Sequence, residues 1–427
     1  MTTVAAARIK HPVTNATSSG AQARRLRAVL REGETVKPLE LYFDLVFVLG
    51  FTQCTALMSA NPSWEAVGQG MLVLAMLWWA WTGYAWLTSV VDPEEGAVRG
   101  AMFVAMAALL VVALCVPRAF DDRALAFALA YGVVRLAHIA LFVLASRDDP
   151  ELRRSVTGLG ISTTLGIGLL IGASALDGAA QAGLWLLAIA VDWGGPALFG
   201  LAGWRLVPAH FAERHNLVII LALGESIVAL GIGAQVDLDL GTIAAAVLGV
   251  AVASAIWWTY FDVVALVTAL RLTRAVAGRV RNALARDSYS YLHYPMVAGI
   301  VLVALGLEYT LAHVDEPLDD VHRFALLGGV AIYLLAHVVL RLRNARTVNT
   351  QRLVLAFILL ALSPVALDVS SLVALAAVNV GLWAIIAYEN LKIYDERRYR
   401  LRHGLPVDPP EAASAASSAS STRWNHS

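Results

Sequence analysis

Two acids, Glu40 and Asp44, open the first long apolar stretch of the chain, in the sequence ELYFDLVFVLGFTQ. Because they are four residues apart, their carboxyl groups would lie on one face of an α-helix, about 6 Å apart along its axis. Glu40 is near enough to the start to cap the helix N-terminus, where the helix dipole favours a carboxylate. Asp44 lies one turn further in, about 9 Å past the helix start, where a short side chain cannot reach bulk water. We therefore expect Asp44 to have a charged partner or to line a water-filled path.

Two further acids occur within apolar stretches. Glu225 lies in LALGESIVALG, near the middle of its stretch. Asp192 is followed by a segment in which Gly194, Gly195 and Pro196 predict a broken or kinked helix. A broken helix leaves carbonyl groups without partners, and with a nearby carboxylate it forms the midplane solute site of many carriers. The alternative is a packing kink at which Asp192 caps the second half of the helix.

Arg135 and His138 are the basic counterpart, three residues apart in another apolar stretch. Arg135 is the one Arg or Lys in the interior of a predicted span, since Arg99 lies at the edge of the third, and an arginine stays protonated in proteins. We therefore expect Asp192 or Glu225 within about 4 Å of its guanidinium. His138 lies one helical turn away, at the depth of Asp44. The expected arrangement has two adjacent layers, with Arg135 and its acid in one and His138 with Asp44 in the other.

Other histidines and tryptophans give further candidates. His293 and His337 lie near the ends of two later apolar stretches, and each is either a hydrogen-bonded structural residue or a ligand or proton relay. A group of tryptophans in the second stretch and a Trp pair in the eighth predict an aromatic belt at the membrane surface, with a stacking platform for a substrate as the alternative. These are Trp78, Trp79, Trp81, Trp86, Trp257 and Trp258.

The stretches that carry these residues must span a membrane. The 427-residue chain is 59% hydrophobic and 15% charged, with a mean hydropathy of +0.67, so its polar surface is too small to cover a soluble globule. A bilayer core requires about 20 apolar residues per helix, and the stretches lack the alternation of barrel strands. We predict an all-α, polytopic bundle of about twelve transmembrane helices, or of ten or eleven if the short eleventh span does not cross. The predicted spans cover residues 38–59, 65–88, 98–116, 124–145, 155–175, 182–204, 216–234, 240–261, 289–311, 324–340, 353–366 and 370–388.

The basic residues predict the orientation of the bundle. Nearly all of the 32 Lys and Arg fall in the two tails and the even-numbered loops, whereas the opposite side carries Arg118, Arg123 and Arg323. This asymmetry predicts a multi-pass protein of the cell membrane with both termini in the cytoplasm. The basic N-terminal tail, residues 1–37, is expected to be disordered and to face lipid headgroups. The C-terminal tail, residues 391–427, has an Ala/Ser-rich end that is expected to be disordered.

An internal repeat is predicted from short matching segments. WWAWTGYAW in the second span matches WWTYFD in the eighth, and RLAH in the fourth matches LLAH in the tenth. A six-plus-six duplication explains these matches, with residues 38–204 as the first repeat and residues 213–390 as the second. Because six is even, the two repeats would be parallel, related by an axis along the membrane normal. Chance similarity is the alternative, since the segments are short.

Three segments resemble the bacterial low temperature requirement A (LtrA) family. They are ELYFDLVFVLGFTQ, ERHNLVIILALGESIVALG and SYSYLHYPMVAGIVLVALGLEY, and together they extend over nearly the whole membrane region. The two acidic segments are unusual for membrane helices, which makes the resemblance fairly specific. It implies a polytopic membrane protein with a link to growth in the cold, and it implies no biochemical activity.

Function must therefore be predicted from the residues. The favoured hypothesis is a secondary transporter or channel for a small cation or polar solute, perhaps proton-coupled. Its pathway would be formed by Glu40, Asp44, Arg135, His138, Asp192, Glu225, His293 and His337. One alternative is a structural or stress-related protein whose buried charges specify packing, and another is a haem or redox enzyme with histidine ligands.

Several classes of chemistry are disfavoured by the sequence. It contains no phosphate-binding loop, nucleophile elbow or HExxH motif. The two cysteines, Cys54 and Cys115, both lie in predicted spans, so a disulfide framework or a cysteine metal site is not expected. We predict no catalytic residue, metal or cofactor. The formal net charge is zero, so we expect membrane lipids and a small solute as partners, and no nucleic acid.

Overall fold

The fold is known from a computed structural model that describes residues 35–94, 96–234 and 239–392. Within these ranges the chain is α-helical and contains no β-strand. The predictions for the two tails fall mainly outside the described residues.

Fifteen helices follow one another along the described chain. They are α1 (Pro38–Ala60), α2 (Trp64–Thr88), α3 (Gly96–Cys115), α4 (Ala124–Ala145), α5 (Pro150–Ala173), α6 (Gly178–Leu198), α7 (Pro208–Gly233), α8 (Leu240–Phe261), α9 (Val264–Arg274), α10 (Arg279–Ala285), α11 (His293–Ala312), α12 (Asp320–Arg323), α13 (Gly329–Ala345), α14 (Thr350–Leu362) and α15 (Ser371–Lys392). Single π-helical turns, Arg286–Tyr291 and Phe324–Gly328, join α10 to α11 and α12 to α13.

The prediction of an all-α, polytopic membrane bundle is confirmed. Ten helical segments of the described chain are long and apolar enough to cross a membrane. Helices α6 and α14 are the two predicted spans outside that group, since α14 has 13 residues and α6 contains Gln181 and Asp192. The number of crossings therefore stays a prediction between ten and twelve.

Prolines set the start of three long helices. Pro38, Pro150 and Pro208 occupy the first turn of α1, α5 and α7, where a missing N–H costs nothing because that group has no partner within the helix. Helix α7 therefore begins at Pro208 and not near residue 216. Arg214 thus lies inside a membrane helix, so the prediction that Arg135 is the one Arg or Lys within a span was wrong.

Helix α6 continues through the segment that was predicted to break it. It extends from Gly178 to Leu198 with Pro196 inside, and the backbone N–H of Phe199 bonds to the Gly195 carbonyl at 2.9 Å. Pro196 has no N–H to donate to the Asp192 carbonyl, but it lies in the last turn, so only this one helical bond is lost and the helix ends two residues later. The predicted break, and with it the role of Asp192 as a cap, was wrong, whereas a kink at Pro196 stays a prediction.

The tryptophans of α2 lie in the protein interior and not at a lipid interface. Trp78 and Trp86 donate hydrogen bonds to the Ser290 carbonyl and hydroxyl oxygens, at 2.7 and 2.9 Å. Trp79 stacks on Trp193, with ring centroids 5.1 Å apart. All the α2 tryptophans predicted for the belt are buried, so that prediction was wrong for α2, whereas Trp257 on α8 is exposed.

Helices α2, α11 and α13 form the centre of the bundle, since most of each is buried. Helices α11 and α13 approach closely at two glycines: a Cβ added to Gly299 would lie 2.6 Å from the Gly329 carbonyl oxygen, and one added to Gly329 would lie 2.8 Å from the Gly299 carbonyl oxygen. Small residues at such crossings let two backbones meet, which is how membrane helices gain packing energy.

The two predicted repeats share an order of neighbours. Helix α1 packs on α2 and α3, and α7 packs on α8 and α11, the helices that occupy the matching positions. Burial differs, however, because α2 is central and its counterpart α8 is peripheral. The duplication stays a prediction.

Candidate functional site

A cluster of buried charges joins α1 to α7; we call it the α1–α7 cluster, and it consists of Glu40, Asp44, His210 and Arg214. Arg214 donates two hydrogen bonds to Asp44, from Nη1 to Oδ2 at 3.0 Å and from Nη2 to Oδ1 at 2.9 Å. Trp81 of α2 donates a third bond to Asp44 Oδ1, at 2.9 Å. Parallel bonds of this kind fit the planar guanidinium to a carboxylate and fix both groups in place.

Glu40 has two roles in the cluster. Its Oε2 accepts a bond from the backbone N–H of Lys37 at 2.8 Å, so it caps α1 as predicted. Its Oε1 lies 2.9 Å from His210 Nε2 and 3.9 Å from Arg214 Nε. Since a carboxylate can only accept, His210 donates through Nε2, and its Nδ1 lies 3.0 Å from the Ser89 hydroxyl. The cluster therefore presents two acids to one arginine and one histidine.

Equal depth explains why Asp44 and Arg214 meet. Each lies six residues past the first proline of its helix, about 9 Å along the axis. The predicted partner, His138, is at a similar depth on α4, but its ring contacts Tyr84 of α2, at a centroid distance of 5.4 Å, whereas Asp44 bonds Arg214 and Trp81. The predicted Asp44–His138 layer was wrong.

Arg135 pairs with Asp192, one of the two acids predicted for it. Nη2 lies 2.8 Å from Asp192 Oδ1, and both side chains are buried. Thr163 of α5 completes a triangle, since it accepts a bond from Arg135 Nη2 at 3.0 Å and donates one to Asp192 Oδ1 at 2.8 Å. The triangle ties α4, α5 and α6 together.

Glu225 does not join Arg135, because the true start of α7 places it about 26 Å along the helix, well beyond the level of Arg135. It meets α1 instead. Its Oε2 lies 2.6 Å from the hydroxyl of Thr52, which is also 3.2 Å from the Val48 carbonyl oxygen. Its Oε1 is buried and has no hydrogen-bond partner among the residues that the structure describes. The charged side chain that it interacts with is another acid, Glu308 of α11.

His293 and His337 belong to an aromatic group in the second half of the chain. Both rings contact Tyr260, at centroid distances of 5.7 and 6.1 Å. His293 Nδ1 lies 2.8 Å from the Ser288 carbonyl oxygen and His337 Nδ1 lies 2.9 Å from that of Tyr333, so in each ring Nδ1 carries a proton. His293 Nε2 lies 2.8 Å from the Tyr260 hydroxyl.

His138 makes no ring contact with these two histidines. It lies against Tyr84 and Phe142, and neither ring nitrogen has a partner of normal hydrogen-bond geometry within the described ranges. Among those residues no three His, Cys, Asp or Glu side chains are grouped so as to hold a metal ion. The three histidines of the redox hypothesis thus form no common site.

Comparison with known proteins places this arrangement in a family. The model of the family described as "Bacterial low temperature requirement A protein (LtrA)" matches residues 35–387, which is nearly all of the described chain. The chain belongs to the LtrA family. It is also similar to a protein of Rhizobium meliloti (strain 1021) named "Uncharacterized protein RA0937", with 29% identity over 309 residues that cover 69% of this chain and 74% of the relative. No solved structure matches.

Sequence patterns did not identify several of the residues that complete the buried pairs in this LtrA-family chain. Arg214 and His210 were assigned to a loop because the apolar window begins after them; Pro208, a favoured first helical residue, was the signal that could have placed them in a helix. Arg352 of α14, which pairs with Glu389 of α15 at 2.8 Å, was missed in the same way. Thr52 gave no signal, since a threonine in an apolar helix usually bonds its own backbone.

Proposed function

We propose that this LtrA-family protein is a secondary transporter of the cell membrane that moves a small cation or polar solute and is coupled to protons, with both termini in the cytoplasm. The observation that supports this best is Glu225. It is a fully buried carboxyl group that faces hydroxyl groups and a second acid and has no basic partner among the described residues. A carboxylate in such surroundings is costly unless it binds a proton or a cation.

The contact with Thr52 suits a group that gains and loses a proton. The single hydroxyl proton of Thr52 can go to Glu225 Oε2 or to the Val48 carbonyl oxygen. When Glu225 is ionised, Thr52 donates to it. When Glu225 is protonated, Glu225 donates to Thr52 and Thr52 donates to Val48. Both protonation states are therefore hydrogen-bonded, which lowers the cost of exchanging the proton.

The position of Glu225 also suits coupling. Helices α1 and α7 are the first helices of the two predicted repeats, and they contact each other at two depths. Near their N-termini Asp44 and Arg214 form a bidentate ion pair. About 12 Å further along, Thr52 and Glu225 make a single bond that protonation reverses. A change in this second contact would act on the relative position of the two repeats, and relative movement of repeats gives alternating access.

The test is proton movement in proteoliposomes that contain the full chain. A pH-sensitive dye inside the vesicles would report proton entry when each of a panel of small cations and polar solutes is added outside. We expect at least one solute to drive proton flux in the unmodified protein. Glu225→Gln removes the titratable group but keeps the shape, so it should abolish coupled proton flux at near-normal yield.

Glu65→Gln is the matched control, since Glu65 is an exposed residue at the start of α2. It should transport like the unmodified protein. Equal proton flux in Glu225→Gln and Glu65→Gln would contradict the role of Glu225. Absence of flux for every solute in the unmodified, folded protein would contradict transport itself.

A structural role is the second candidate, because the three arginines that are buried in the described part of the chain are all paired. Arg135, Arg214 and Arg352 each bond a carboxylate on another helix at 2.8–2.9 Å. Such pairs hold helices together without any movement of solute. If this is the function, Glu225→Gln should leave every flux unchanged, whereas loss of any of the three pairs should lower the yield of folded protein.

A further inference from the structure

An open apolar groove lies between α14 and α15. Its volume is about 900 Å³, at the upper end of the range for sites that hold small-molecule ligands. One wall is a stripe of α14 with residues one helical turn apart, namely Val354, Ile358 and Leu362. The other wall is a stripe of α15 that consists of Val373, Ala377, Val380 and Ala384. All of these residues are exposed, so the two stripes do not fill the space between the helices.

Contacts between the two helices fix the position of the groove. Arg352 of α14 bonds Glu389 of α15 at 2.8 Å. Leu355 of α14 packs against Gly381 of α15, where an added Cβ would lie 2.8 Å from its Cδ1 atom. Helix α14 has 13 residues and is about 20 Å long, so it covers only part of a bilayer core of about 30 Å. The groove is therefore a fixed feature of the fold that opens toward lipid.

The groove is polar at one end only. Thr350 and Gln351 at the start of α14 and Tyr388 in the last turns of α15 line this end, and every other lining residue is apolar. From Thr350 to Leu362 the groove extends about 18 Å along α14. One leaflet of a bilayer core is about 15 Å thick. The groove thus has the length of an acyl chain region and a polar group at one end, as a phospholipid has.

The segment that leads into α14 brings positive charge to the polar end; we call residues 341–352 the basic segment. It contains four arginines and no acid, namely Arg341, Arg343, Arg346 and Arg352. Arg343 bonds Asp287 at 2.9 Å, and Arg352 bonds Glu389. Four arginines thus meet two acids, which leaves a surplus of two positive charges.

The surplus charges lie on Arg341 and Arg346, and both residues are exposed. Arg341 donates from Nε to the Thr347 hydroxyl at 3.0 Å, which holds its guanidinium against the basic segment. It also acts electrostatically on Glu389, the neighbour of Tyr388 in the chain. The surplus charge therefore lies beside the polar end of the groove.

We propose that the groove binds one anionic phospholipid, with an acyl chain between α14 and α15 and the phosphate at the basic segment. Any lipid can cover an apolar surface, but a surplus of arginines at the membrane surface selects a headgroup with net negative charge. Basic pockets between membrane helices bind anionic headgroups in this way. The site does not depend on the proposed transport function, because it is measured by binding alone.

The test is native mass spectrometry of the purified, delipidated full chain in detergent. Phosphatidylglycerol and phosphatidylcholine with identical acyl chains would be titrated separately. We expect one phosphatidylglycerol to bind saturably, about 10- to 30-fold more tightly than phosphatidylcholine, since each surplus arginine contributes about 5-fold. Equal affinity for the two lipids would overturn the proposal.

The headgroup contact is tested by neutralising the surplus charge. Arg341→Gln combined with Arg346→Gln should lower the affinity for phosphatidylglycerol to that for phosphatidylcholine. The control is Arg271→Gln combined with Arg274→Gln, which removes two exposed charges from α9 and should keep full selectivity. Equal phosphatidylglycerol affinity in the two double variants would contradict binding at the basic segment.

The chain contact is tested by filling the groove. Ala384→Trp should weaken phosphatidylglycerol binding at least about 10-fold, because a buried large side chain and an acyl chain compete for the same apolar surface. Ala387→Trp is the control, since Ala387 is also exposed on α15 but lies outside the groove. Equal affinities in these two variants would overturn the proposal, and if Ala384→Trp does not fold, the arginine variants decide. A dimer that Ala384→Trp dissociates and Ala387→Trp does not would show a second copy of the chain in the groove, and would overturn it as well.

Discussion

Replacing Arg214 with methionine tests whether the α1–α7 cluster holds these helices together by charge. The change removes both hydrogen bonds to Asp44 and leaves two buried carboxyl groups, Glu40 and Asp44, with His210 as their remaining basic neighbour. Removing one partner of a buried ion pair costs about 3–5 kcal/mol. We expect Arg214→Met to lower the free energy of unfolding by this amount.

The reverse change should cost less. Asp44→Asn leaves Arg214 with Glu40 still 3.9 Å away, and the side-chain oxygen can still accept the bond from Trp81. We expect a loss of about 2–3 kcal/mol. The double variant should lose about 1–3 kcal/mol less than the sum of the single losses, because it leaves neither group opposite an uncompensated charge.

The measurement is reversible unfolding in mixed detergent micelles, with Arg118→Met as the control. Arg118 pairs with Asp122 at a similarly short distance, 2.8 Å, but both side chains are more than half exposed. A surface pair contributes about 0–1 kcal/mol. If Arg214→Met costs no more than Arg118→Met, or if the two single losses simply add, the cluster does not stabilise the fold through charge.

Two other predictions follow from helix contacts. Gly299→Ala should destabilise the bundle by about 1–3 kcal/mol because the new methyl group meets the Gly329 carbonyl oxygen. Gly168→Ala on α5, where the added methyl group has open space, should be neutral or stabilising. The same unfolding assay compares the two variants, and equal effects would contradict close α11–α13 packing. Arg135→Met alone should cost about 3–5 kcal/mol, and Arg135→Met with Asp192→Asn should recover part of that loss; no recovery in the double variant would contradict a direct ion pair.

Depth along a helix could be predicted from residue spacing, but lateral neighbours could not. For Arg135, the predicted depths along the helices selected two acids as candidate partners, and one of them, Asp192, is its partner. For Asp44 the same reasoning favoured His138, whereas its partners are Arg214 and Trp81. Spacing gives a position on one axis only, whereas contact also requires that two helices be neighbours and that their faces be turned toward each other.

Errors at helix ends had large consequences. Because the predicted span began near residue 216, Arg214 was placed in a loop, and Glu225 was placed at the same depth as Arg135. The apolar window fails here because a membrane helix can begin with polar residues when they are buried against the protein rather than exposed to lipid. His210 and Arg214 are both fully buried, and their partners lie on other helices.

The sequence by itself determined that this protein is a helical membrane bundle of the LtrA type, that Glu40 and Asp44 share a helix face, and that Arg135 needs an acid. These properties follow from hydropathy and helical period, which are sums over neighbouring residues of one segment. The tertiary structure alone decided that Asp44 binds Arg214, and that Glu225 faces Thr52 with no base beside it among the described residues. These contacts join residues that are far apart in the chain, and they depend on how helices rotate and approach each other, which is set by packing at many small contacts at once.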